Sequence, residues 1–260
     1  MNYARRGAGQ PLVLIHGVGS HLHVWRPVTR PLSERYDVIA ADVPGFGQSP
    51  PLPPEVEPTV DAFATAFERF FGELGIPTPH VAGNSMGGGI ALELGRRGSA
   101  RSVTAISPVG FWTPRERRFC QLSLKLRHDV PEPARRAALA LTATGAGRTV
   151  EMGQIFARPW LIPPEAARRT LENFWASPAF TRALAAFDKY TFRNGHEIGV
   201  PVSVLWGSRD RLLLYRRQAP RARQALRQAR HVTLEGLGHT PYYDDPAVVA
   251  REMLAAMAIA

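Results

Sequence analysis

The chain has 260 residues, 45% of them hydrophobic and 21% charged, with a formal net charge of +10. That supports one large domain, or a core with an insertion, with enough apolar material to bury a sizeable core; it excludes a disordered chain. No apolar run approaches the ~20 residues that span a bilayer, and Cys120, the only cysteine, leaves no partner for a disulfide or a cysteine-based zinc site.

No apolar stretch follows the charged start Met1 to Gly7, so no signal peptide is expected and a reducing cytoplasm is the expected compartment. Pro11 to Ile15 is a continuous apolar run that predicts a buried strand, ending at the turn His16-Gly17-Val18-Gly19. Trp25 to Leu32 predicts a short helix broken up by Pro27 and Pro31. Tyr36 to Ala41 is the next strand, running into the turn cluster Asp42-Val43-Pro44-Gly45-Phe46-Gly47-Gln48-Ser49. Between Val60 and Leu74, the residues Phe63, Phe67, Phe70, Phe71 and Leu74 fall on one side of a helix that Gly75 and Pro77 stop. A strand over 80–82 leads to Ser85, a helix over 86–97 leads away from it, and Val103 to Ser107 is another strand.

The pattern changes after Gly110. Residues 111–195 contain no convincing strand and predict short amphipathic helices near 115–127, 133–144, 165–175 and 178–190. Strands resume at 200–206 and 232–234, with helices near 214–228 and 246–257. Strand–helix alternation of this kind implies a parallel sheet with helices on both faces. The positive charge is concentrated: 111–195 carries fourteen basic and seven acidic residues, and 211–230 carries seven basic and none acidic. With no accompanying nucleic-acid motif, this predicts arginine-rich solvated helix faces and no nucleic-acid partner. An electropositive field that attracts acidic substrates stays open.

Functional groups on such sheets gather beyond the carboxyl ends of the strands. Four features lie there: Ser85 in Gly83-Asn84-Ser85-Met86-Gly87, Asp210 in Gly207-Ser208-Arg209-Asp210, His239 in Gly238-His239-Thr240, and the turn after His16. A serine in G-x-S-x-G between strand and helix sits on a sharp turn, with its hydroxyl exposed at a helix N-terminus. It needs a base to take its proton, and the base needs a carboxylate to hold its tautomer.

These segments resemble the α/β-hydrolase superfamily over nearly the whole chain. The resemblance implies a mostly parallel sheet with helices on both faces. It also implies a helical cap (111–195) inserted after the sixth strand into a core made of 1–110 and 196–260. Only ten residues precede the strand at 11–15, so the family's first hairpin is expected to be shortened or absent. The resemblance further implies Ser85 as nucleophile, His239 as general base and acid, and Asp210 as its orienting partner. The backbone N–H groups of Val18 and Met86 would form the oxyanion hole. Asp42, Gly45 and Gly47 are expected to build a turn, and His16 to be structural.

Because position 85 is Ser rather than Asp, the relatives that form an ester on an aspartate, the haloalkane dehalogenases and epoxide hydrolases, fit poorly. The expected chemistry is acyl transfer to water on a carboxylic ester or lactone of a small to medium apolar substrate, without cofactor or metal. Aromatic residues of 111–195 would line its pocket, although most are expected to pack the cap onto the core. Two other readings stand beside it. One is a carbon–carbon bond hydrolase of ring-cleavage products, suggested by Gly-Asn-Ser-Met-Gly-Gly but opposed by the turn Gly17-Val18-Gly19-Ser20-His21 and by Thr240-Pro241 after His239. The other is a non-catalytic ligand-binding relative. Nothing in the residues indicates an oligomeric state.

Overall fold

Leu12, Val13, Leu14 and Ile15 are all fully buried, as a strand covered on both faces requires. A computed structural model describes residues 1–259. Seven strands form one sheet: β1 (Tyr3–Arg6), β2 (Gln10–Ile15), β3 (Tyr36–Ala41), β4 (His80–Asn84), β5 (Ser102–Ile106), β6 (Val202–Gly207) and β7 (Arg230–Leu234). Their spatial order is β1-β3-β2-β4-β5-β6-β7. All neighbours are parallel except β1, which runs antiparallel to β3.

Ten α-helices are present among the described residues: α1 (Arg26–Ser33), α2 (Val60–Glu73), α3 (Met86–Arg96), α4 (Pro114–His128), α5 (Glu132–Leu141), α6 (Gly145–Met152), α7 (Pro164–Ala176), α8 (Phe180–Ala186), α9 (Tyr215–Ala225) and α10 (Pro246–Met257). Alternate strand residues feed two cores, because successive side chains point to opposite faces. Val13, Ile15, Val81 and Val204 pack with α2, α3 and α9. Leu12, Leu14, Ala82 and Leu205 pack with α1 and α10. The predicted phenylalanine face of α2 is fully used: Phe63, Phe67, Phe70 and Phe71 are all buried.

Three elements differ from expectation. β1 had no sequence signal, because all four of its residues are exposed; the backbone ladder to β3, the Arg5–Asp37 ion pair and Tyr3 packed edge-on against Phe70 hold it to the sheet. α6 starts in Gly145-Ala146-Gly147, which reads as a break; the Thr144 hydroxyl accepts from Gly147 N–H at 3.0 Å and caps it. α1 is continuous, because Pro27 lies in the first turn, where no N–H is needed, and only Pro31 interrupts its bonding. The helices α4 to α8 enter after β5, the fifth strand of this chain, and not the sixth. The resemblance counts one more strand at the start, where the short N-terminal segment forms β1 alone.

Candidate active site

β4 lies in the middle of the sheet, paired with β2 and β5, and ends at Asn84. Ser85 follows with φ 59° and ψ −116°, a left-handed conformation that costs a non-glycine residue about 1–3 kcal/mol. Three bonds hold it there: Ser85 N–H donates to Ile106 C=O at 2.9 Å, and Ser85 C=O accepts from Gly89 N–H and Val109 N–H, both at 3.1 Å. The glycines of the motif are required by close approach. A Cβ on Gly83 would stand 2.0 Å from Gly87 O, and one on Gly87 would stand 2.1 Å from Ile15 O. Strand, turn and helix can cross at this distance only without side chains.

Asp210 lies past the end of β6 and His239 past the end of β7. Both are buried, and His239 Nδ1 is 2.8 Å from Asp210 Oδ2. A carboxylate only accepts, so Nδ1 carries a proton, and in the neutral ring the free lone pair is then on Nε2. Asp210 Oδ1 accepts from Leu212 N–H at 2.9 Å and Leu213 N–H at 2.8 Å, which holds the carboxylate in place. Ser85 and His239 line the same cavity. The hydrogen bonds among the described residues do not join Ser85 Oγ to His239 Nε2.

Gly17 comes against the serine: a Cβ placed on it would stand 3.1 Å from Ser85 Cβ. The next residue, Val18, and Met86 at the start of α3 have amides with no hydrogen-bond acceptor among the described residues. Val18 lines the same cavity as Ser85, and Met86 directly follows Ser85 at a helix N-terminus. His16 is fully buried; Val43 N–H donates to its Nε2 at 3.0 Å, and its Nδ1 lies 2.8 Å from Gly17 O. Asp42 accepts from Leu22 N–H, Gln48 N–H and Asn2 Nδ2, so it ties the turn together as expected.

The cavity measures about 320 Å³, within the range of small-molecule sites. Its floor is Val18, Ser85, Leu212 and His239, and α4 to α7 supply its roof, including Leu124, Ala138, Met152 and Phe174. Of the aromatic residues of 111–195, Phe156, Phe174 and Trp175 line this cavity. Phe111, Trp112 and Phe180 are buried in packing, and Trp160 is exposed. Among the described residues no group of three or more His, Cys, Asp or Glu is placed to hold a metal ion.

Sequence reasoning missed the role of Asn84. Its Nδ2 donates to Ile106 O at 3.1 Å and to His239 O at 3.0 Å, and its Oδ1 accepts from Thr240 Oγ1 at 3.3 Å and Tyr242 OH at 3.2 Å. The residue before the serine thus pins the backbone of the histidine, 155 positions away in the chain. Its place beside Ser85 was legible, but the strand was expected to end at 82 rather than at Asn84, and nothing local announced its partners.

The strand order, the turn and the paired His239–Asp210 match a known fold, and the alpha/beta hydrolase fold family matches residues 10–246. The chain belongs to the α/β-hydrolase family. It is 30% identical over 183 residues to the epoxide hydrolase EphH of Mycobacterium tuberculosis, covering 69% of this chain and 86% of that one. It is also 44% identical over 114 residues to the dihydrolipoyllysine-residue acetyltransferase component of the acetoin cleaving system of Cupriavidus necator. That match covers 43% of this chain and 30% of the relative, so it spans less than a third of the relative's length. Among solved structures, a bacterial membrane phospholipase A superposes with a TM-score of 0.76 at 26% identity, covering 98% of this α/β hydrolase and 81% of that chain. No helix among the described residues is long and apolar enough to cross a membrane.

Proposed function

We propose that this α/β hydrolase is a serine hydrolase that cleaves a carboxylic ester or lactone of a small to medium apolar substrate through an acyl-enzyme. The observation that carries the reading is the combination at one cavity of a strained, helix-capping Ser85, a buried His239–Asp210 pair and two amides without acceptors. His239 Nε2 takes the proton of Ser85 Oγ as the oxygen attacks the carbonyl carbon. The negative charge that develops on the carbonyl oxygen is met by the N–H groups of Val18 and Met86, each contributing about 2.7–4 kcal/mol at the transition state. Asp210 stabilises the imidazolium without taking its proton. Collapse breaks the bond to the alcohol, which leaves with the proton from His239. Water, deprotonated by the same nitrogen, then attacks the acyl-enzyme; the acid departs and Ser85 regains its proton.

Residues 111–195 act as the cap over a core of 1–110 and 196–260, and their apolar roof selects for apolar acyl or alcohol groups. The similarity to a phospholipase A supports the ester reading. The epoxide hydrolase similarity is compatible with the shared fold, while the serine at position 85 favours acyl transfer. Asn84, the sequence feature behind the carbon–carbon hydrolase reading, has all four of its bonding positions satisfied inside the protein, which weakens that reading.

The test is hydrolysis of p-nitrophenyl butyrate beside a vinylogous dienoic diketo acid by wild-type protein and Ser85→Ala. The expected outcome is ester turnover that Ser85→Ala loses, with a fluorophosphonate labelling Ser85 alone. Preference for the diketo acid, or activity retained in folded Ser85→Ala, overturns the proposal.

A further inference from the structure

A second cavity, of about 280 Å³, is lined by Asn2, His21, His23, Asp42, Gly47, Gln48, Arg169 and Asn173. None of these residues lines the cavity at Ser85. The two cavities share walls. The turn after His16 presents Val18, Ser20 and Val24 to the first and His21 and His23 to the second. α7 presents Thr170, Leu171, Phe174 and Trp175 to the first and Arg169 and Asn173 to the second.

The lining has unmet polar capacity. His21 is 4% exposed, and its Nε2 has no hydrogen-bond partner. A buried imidazole nitrogen without a partner is costly unless something fills the place. On α7, Arg168 is paired with Glu172 at 2.8 Å. Among the described residues, the guanidinium of Arg169 makes neither an ion pair nor a hydrogen bond, while its carbonyl accepts from Asn173 Nδ2. A guanidinium facing two imidazoles presents donors for an oxyanion, with the fork geometry that carboxylate and phosphate fit. The opposing charge is Asp42, whose oxygens already accept from Leu22 N–H, Gln48 N–H and Asn2 Nδ2. Arg169 also makes the place unfavourable for a cation.

We propose that this cavity binds a small oxyanion, a phosphate or a carboxylate, held by Arg169 from α7 and by His21 and His23 from the turn. The ligand joins α7 to the turn that carries Val18, and so fastens the helical segment over the sheet. Burial, His16, His23 and Arg169 push His21 down to about 3, against the opposite pull of Asp42. Burial, Arg26 and Arg169 lower His23 in the same way, again opposed by Asp42. A bound anion favours the protonated rings, so binding tightens as pH falls.

The experiment titrates wild-type protein and Arg169→Ala with inorganic phosphate and, separately, with malonate, against chloride at constant ionic strength near about pH 6. Phosphate, malonate or both are expected to raise the Tm of the wild type and to bind at least about tenfold more weakly to Arg169→Ala. The arm that gives the larger rise identifies the ligand as phosphate or carboxylate. No rise with either ion, or an equal rise in the variant, overturns the site. So does a rise that Arg216→Ala/Arg217→Ala removes instead, which would place the ion on the basic surface of α9. Should Arg169→Ala not fold, the His23 ring is titrated by NMR in the wild type, where its pKa must move up with the ion; a fixed pKa overturns the proposal. An effect of the ion on ester turnover rests on the serine-hydrolase reading. The Tm and NMR readouts need no substrate, so failure of either proposal is seen apart from the other.

Discussion

At the scale of single residues, the site depends on groups that act through one another. Asp210→Asn would retain the shape of the carboxylate while reversing the hydrogen bond to His239 Nδ1 and giving the wrong tautomer. Its kcat is expected to fall about 10⁴-fold with little change in KM, measured on p-nitrophenyl butyrate. Asn84→Ala removes the anchor on His239 O and leaves Tyr242 OH and Thr240 Oγ1 without their acceptor. It is expected to lower kcat about 10- to 100-fold, since a displacement of about 1 Å at a catalytic group has that cost. Steady-state kinetics on protein with unchanged circular dichroism check both, and an Asn84→Ala enzyme with wild-type kcat would show that the loop holds itself.

At the scale of elements, close crossings and caps decide stability. Gly83→Ala drives a Cβ into the carbonyl of Gly87, a backbone atom that no rotamer can move aside. It is expected to cost more than about 3 kcal/mol in urea unfolding, or to prevent folding, because the elbow has no room to give. α4 starts at a reciprocal cap: Glu116 N–H donates to Thr113 Oγ1 at 3.3 Å, and Thr113 N–H donates to Glu116 Oε2 at 2.8 Å. Glu116 is also paired with Arg221 of α9, whose Nε donates to Phe111 O at 2.6 Å. Thr113→Ala is therefore expected to cost about 1 kcal/mol by the same measurement, small beside the loss at Gly83.

At the scale of the whole molecule, charge and buried histidines set the response to salt and acid. Acidic partners meet several cations of the helical segment, among them Arg117, Lys125 and Arg136. From α9 to the start of β7, Arg221 and Arg230 are paired, whereas Arg216, Arg217, Arg223 and Arg227 form no ion pair among the described residues. If that field draws substrate to the site, kcat/KM for carboxylate-bearing esters falls as salt rises while that for neutral esters does not; equal curves would show that the charge does not steer. In acid the histidines dominate. Burial and Arg101 push His80 down to about 4, and burial pushes His21 down to about 3, against about 6.5 in the unfolded chain. Between those values the unfolded chain holds the extra protons. Stability is therefore full above about pH 6.5 and is lost as pH falls toward 4, by up to about 1.4 kcal/mol per pH unit for each histidine. Urea unfolding of wild type and His80→Gln from neutral to acid pH checks it, with a shallower slope expected in the variant.

Local chemistry carried most of what the sequence alone determined. Apolar runs marked β2 to β6, because a strand buried on both faces has little polar side to show, whereas β7 is only partly buried and was marked by Val232-Thr233-Leu234 alone. The phenylalanine spacing marked α2, and the glycines around Ser85 marked the elbow, because no other residue lets strand and helix pass so closely. The order Ser85, Asp210, His239 at strand ends named the candidate triad. β1 and α6 escaped, since one is an exposed edge strand with no apolar run and the other begins on glycines that usually end a helix. The tertiary structure alone decided which side chains of 111–195 face the cavity and which pack away from it. It also decided that Asn84 reaches the His239 backbone, and that Arg169 stands opposite His21. Those juxtapositions bring together residues 148 to 155 positions apart, and no local pattern records them, because only the assembled sheet and the helices folded over it place them side by side.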